Sequence, residues 1–115
     1  MAMLTRDQVF SAEDIKTEGV GVPEWGGSVI VGTMSGYARD IFEAQMLDKK
    51  TGKKNMRAKL AAATVQDEEG NLLFTEKDVE ALGKKSGAAL ERIFDVALRI
   101  NRIGEKDVEE LGKDS

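Results

Sequence analysis

The spacing of apolar residues changes along this chain, and each change marks an element. Between residues 17 and 35 it is alternating and rich in β-branched types: Val20 and Val22, then Val29 and Val31, with "PEWGG" between them. That pattern predicts two antiparallel strands with Gly26 and Gly27 in the turn. From Gly36 the spacing becomes helical. Ala38, Ile41, Phe42 and Gln45 share one face behind Ser35 as a cap, so a helix with its apolar side on the sheet is expected. "DKKTG" interrupts it. In "KKNMRAKLAAATV" the positions Met56, Leu60 and Ala63 or Thr64 line one face, with the basic residues mostly on the other.

The strongest helical signal is "SGAALERIFDVALRINR", where Leu90, Ile93, Phe94, Ala97 and Leu98 form a wide apolar stripe. It reads as the central helix of a bundle. A near-repeat brackets it: "EKDVEALGKKS" at 76–86 and "EKDVEELGKDS" at 105–115. Thr75 caps the first copy, Asp78 completes the capping box, Phe74 can staple to Val79, and Gly83 supplies the stop. In the second copy Ile103, Gly104, Asp107, Val108 and Gly112 take the same roles. Each copy is therefore expected to be a short self-capped helix, and two copies are too few for a solenoid. Near the beginning, Thr5 with Gln8, flanked by Leu4 and Val9, is one helix start. Ser11 with Asp14, flanked by Phe10 and Ile15, is a second, leaving room only for short turns. "DEEGN" reads as a turn at Gly70 and Asn71. Together these elements predict a mostly helical α+β fold in a single domain over 1–115. Short turns and a β-hairpin fill 1–34, and the hairpin packs on a small helical bundle from 35 onward.

Composition narrows the chemistry. A chain of 115 residues can bury roughly two thirds of the surface it exposes when unfolded. There is no Cys and no His, which removes disulfides, thiol chemistry, the commonest general base and most transition-metal sites. Carboxylates such as those of "DEEG" and "EKDVEE" fall where turns and helix starts use acids. "DEEGNLLFTEKD" lacks the alternating ligands of a calcium loop, and "TGKK" and "LGKKS" lack the upstream glycine of a phosphate loop. No catalytic residue, metal or cofactor is expected. No stretch reaches the roughly 20 apolar residues of a membrane span, and the start turns polar too early for a signal peptide.

The net charge of -4 opposes nucleic-acid binding. One segment runs against it: "KKTGKKNMRAK", from Lys49 to Lys59, holds six basic residues and no acid. A phosphate-binding patch and a solvated turn leading into a helix both fit; the absence of interleaved aromatic residues favours the turn. Trp25 at the hairpin tip suits either a partner anchor or a shield over the sheet edge. Tyr37 and Phe42 read as core. The stripe Leu90, Ile93, Phe94, Ala97 and Leu98 also reads as core, wide enough to leave one flank for a helical partner. Trp25 and these five are the candidate partner contacts.

The ordered succession of "VPEWGGSV", "SGYARDIFE", "LFTEKDVEALGKKS" and "INRIGEKDVEEL" resembles the small tail assembly chaperones of long-tailed bacteriophages and their prophages. The resemblance spans almost the whole chain and is weakest over "DKKTGKKNMRAK". It implies a non-enzymatic helper, acting in the bacterial cytoplasm and absent from the finished particle. Such a helper keeps the tape measure protein soluble and helps bring tail tube subunits to it, working as weakly self-associating copies. It further implies a longer product made by ribosomal slippage, for which Leu111, Gly112 and Lys113 form a candidate junction. A small virion subunit at the neck or tail end fits the same composition, and a nucleic-acid-binding regulator would rest on the Lys49–Lys59 cluster.

Overall fold

The computed structural model describes residues 2–104. Helix α1 (Arg6–Ser11) precedes a hairpin of β1 (Thr17–Val22) and β2 (Gly27–Gly32). Then come α2 (Gly36–Leu47), α3 (Met56–Thr64), the two-residue strand β3 (Val65–Gln66), α4 (Val79–Leu82) and α5 (Gly87–Ile100). The fold is α+β, and the hairpin is joined by a third strand. β2 lies centrally, antiparallel to both β1 and β3.

The hairpin follows its valine pattern. Val20 pairs with Val29 and Val22 with Gly27, so one sheet face is apolar and turned inward. A 3-10 turn over Pro23–Trp25 closes it, and Gly26 takes the left-handed conformation (φ 74°) that the reversal needs. The third strand was not legible: two residues of pairing carry no periodicity. Gln66 pairs with Ile30 and is bridged to Leu72, while Gly70 (φ 89°) makes the turn between them. The Asp67 carboxylate holds that turn by accepting from the amides of Glu69 (2.9 Å) and Asn71 (3.0 Å).

The helices exchange two expected roles. α5, not α2, lies on the sheet, packing against β1 and β2; α2 packs chiefly on α3. The centre of the bundle is α3, which also touches α4, α5 and β2. Ala58, Lys59, Leu60, Ala61, Ala62 and Thr64 are all buried, so of the two basic residues on α3 only Arg57 lies outside. Three buried alanines let neighbouring backbones come close, and a helix enclosed over most of its surface needs no strong amphipathic stripe. Phe42 and Met46 from α2, Leu60 and Val65, and Ile93 from α5 are among the fully buried side chains.

Capping matches the sequence where it was strongest. The Ser35 hydroxyl accepts from the Ala38 amide at 3.1 Å as expected, and Ser86, not singled out from the sequence, accepts from Ala89 at 3.2 Å. At the first repeat copy the Thr75 amide donates to Asp78 Oδ2 at 2.8 Å, opening a 3-10 turn (Glu76–Asp78) that runs into α4. α4 stops at Leu82 with Gly83 as its cap, as expected, but by a different geometry. Gly83 is not left-handed (φ -63°); a Cβ there would collide with the side chain of Asn55. The Ser11–Asp14 start forms no helix, and residues 12–16 are irregular. The second repeat copy, with Asp107, Val108 and Gly112, and the Leu111–Lys113 junction lie outside the described residues. Ile103, which leads into it, is buried and donates its amide to Leu98 O at 2.9 Å, closing α5.

Candidate functional site

The five candidate residues on α5 are all buried: Leu90, Ile93, Phe94, Ala97 and Leu98. The free flank expected for a helical partner is absent, because α3 covers one side of α5 and the β1–β2 sheet the other. Three charged residues on the outer side of α5 are engaged in ion pairs. Arg92 makes a forked contact to Glu24 (3.0, 3.3 and 3.2 Å), Arg99 pairs with Glu18, and Glu91 pairs with Arg57, whose guanidinium lies 5.1 Å from the Phe94 ring centre. The Arg92 contact holds the Glu24 carboxyl below its ordinary range.

Trp25 occupies a different setting. It is half-buried and packed on the core from the hairpin turn, next to the Glu24–Arg92 pair. Its open side lines a shallow groove with Leu73, Phe74, Ala81 and Leu82, rimmed by Asp78 and Lys85. Leu73 is 52 % exposed at the lip. Sequence reading missed Leu72 and Leu73, since "NLLF" carries no helical or alternating period. The Leu73 amide donates to Val65 O at 3.0 Å, and this pairing presents the two leucines at the surface.

Leu72 and Phe74 also border a second groove, of about 230 Å³, between α2 and α3. Tyr37, expected in the core, instead stands 76 % exposed at its rim, while Phe42 is buried as expected. The difference is one of helical phase: Ala38, Phe42 and Met46 face α3, leaving Tyr37 outside and Ile41 and Gln45 in the groove wall.

The basic cluster is partly spent on the fold. Lys59 is buried, and its ammonium donates to the carbonyls of Thr51 and Gly52 (3.3 Å for the latter). Burial pulls its pKa below the ordinary lysine value, with Asp48 opposing. Arg57 is paired as described, which leaves the four lysines of the 49–54 loop in solvent. Among the described residues no group of three or more carboxylates is placed to hold a metal ion, and no helix is long and apolar enough to cross a membrane.

The described residues thus form a tight helical core with two apolar grooves at its surface. The family model for phage tail assembly chaperones matches residues 5–114. The chain belongs to that family. The fold agrees: the structure of the tail assembly chaperone of bacteriophage HK97 superposes with a TM-score of 0.60 at 22 % identity, covering 86 % of this chaperone and 95 % of that one. No curated protein matches the sequence. Within this chaperone the family match takes in both repeat copies except the last residue, so the C-terminal repeat is part of the family pattern.

Proposed function

We propose that this chaperone keeps the tape measure protein soluble during tail assembly, in the host cytoplasm and without entering the finished particle, and helps bring tail tube subunits to it. It does so as weakly associating copies along one long client. The observation that carries this reading is the Trp25–Leu73 groove on a protein of the tail assembly chaperone family. An aromatic anchor packed on the core, beside exposed leucines and with charged residues only at the rim, suits the apolar face of a client helix. The α5 stripe serves instead as core. A slippage product extended beyond Leu111–Lys113 would supply a separate contact for the tube protein.

Co-expression tests the reading. Tape measure fragments should move into the soluble fraction with the chaperone and fall back with Trp25→Ser or Leu73→Asp. A client equally insoluble with and without the chaperone would refute the holding role. Recovery of the chain from purified particles would favour a virion subunit instead.

A further inference from the structure

We propose that the N-terminal arm of one chain docks into the α2–α3 groove of a second copy, and that this arm-to-groove contact is the unit of self-association. The inference deepens the self-association included in the proposed function and rests on it. Every described residue from 2 to 17 is exposed, including α1, which buries none of its side chains. Yet α1 is well formed. The Thr5 amide donates to Gln8 Oε1 (2.9 Å) and the Gln8 amide to Thr5 Oγ1 (3.2 Å), a complete capping box. Helices this short are not stable alone in water and ordinarily draw their stability from packing an apolar face. The arm offers such a face in Met3, Leu4, Val9 and Phe10, with Phe10 73 % exposed.

The arm's own domain does not take it up. Its root is clamped to the end of β2, where the Lys16 amide donates to Thr33 Oγ1 (3.0 Å) and the Thr33 amide to Lys16 O (2.8 Å). The groove walled by Tyr37, Ile41, Gln45, Ala62, Leu72 and Phe74 is empty of it. Charge matches as well as polarity. Of the two charged residues lining the groove, Lys59 is committed to the 51–52 carbonyls, while Glu76 is exposed and makes no ion pair among the described residues. Arg6 stacks 4.8 Å from the Phe10 ring centre, and its one ion pair is a fully solvated contact to the adjacent Asp7. Insertion of Phe10 therefore carries a cation toward Glu76.

The two surfaces are different patches of one chain, so copies can be joined either head to tail or by reciprocal exchange of arms in a two-fold pair, and a cross-link between arm and groove forms in both arrangements. A groove of about 230 Å³ has room for only one or two side chains, Phe10 foremost, so the contact is small, consistent with weak reversible association.

The chain has no cysteine, which makes the test clean. Phe10→Cys and Leu72→Cys chains, mixed and mildly oxidised, should cross-link mainly with each other, and Phe10→Asp should weaken association at least tenfold in sedimentation while leaving the far-ultraviolet dichroism unchanged. The proposal falls if Phe10→Cys chains pair chiefly with themselves, if the doubly substituted chain bridges only within itself, or if Phe10→Asp associates like the parent. A Phe10→Asp chain that no longer associates yet still keeps its client soluble supports the arm contact independently of the holding role. Loss of client rescue with intact cross-linking would instead overturn the holding role alone.

Discussion

The Lys59 ammonium stands 3.3 Å from the carbonyl oxygen of Gly52 and also bonds that of Thr51, tying the 48–55 loop to the central helix. The buried cation thus replaces the apolar residue that its position on α3 would otherwise take. Lys59→Met removes both bonds. Because a hydrogen bond from a charged donor contributes about 1.5–3 kcal/mol, amide exchange across residues 50–54 should quicken by roughly tenfold or more. Unchanged protection would show that the loop is held by other means.

The same residue sets a pH dependence. Burial lowers the folded-state pKa of Lys59 below 10.5, so between the two values the unfolded chain holds more protons than the folded one. Stability should therefore rise with pH through that window. The Lys59→Met chain should lack this increment when urea midpoints are compared across the alkaline range.

Gly52 is fixed by space. A Cβ at this residue would lie 2.7 Å from the Asp48 carbonyl oxygen and closer still to that of Met46, and both are backbone atoms that cannot swing aside. Gly52→Ala is expected to cost about 1–3 kcal/mol by the overpacking it imposes, read as a lower denaturation midpoint.

Thr75 and Asp78 act as one device at the start of the first repeat copy, through the amide bond at 2.8 Å and a hydroxyl contact at 3.4 Å. Thr75→Ala and Asp78→Ala should each lower stability by about 1 kcal/mol. The double variant should lose less than the sum, since either change dissolves the same box. Strict additivity in a double-mutant cycle would contradict that coupling.

The Glu24–Arg92 fork holds the hairpin turn that carries Trp25. The Arg92 contact lowers the Glu24 pKa, so the fork is complete above the ordinary carboxylate range and is lost as pH falls through the lowered value. With a single Trp in the chain, its emission reports the event directly. Arg92→Ala should shift emission to the red at neutral pH and abolish the acid-induced shift seen in the parent.

Local chemistry was legible wherever a residue acts on its immediate neighbours. The valine alternation set the hairpin, Ser35 set a helix start, Thr5 with Gln8 and Thr75 with Asp78 set two boxes, and the α5 stripe marked core. Absence of His and Cys narrowed the chemistry, and the ordered motifs pointed to the family. What tertiary structure decided was which apolar residues find partners. α3 became the centre because its alanines admit close neighbours over most of its surface, a property with no periodic trace. Tyr37 fell outside by one step of helical phase, and Gly83 is a glycine because Asn55, 28 positions earlier, fills the space beside it. β3 exists only because β2 offers an edge for two residues to pair with, and that pairing is what brings Leu72 and Leu73 to the surface. Burial depends on what lies across the interface, and a sequence records one side of it.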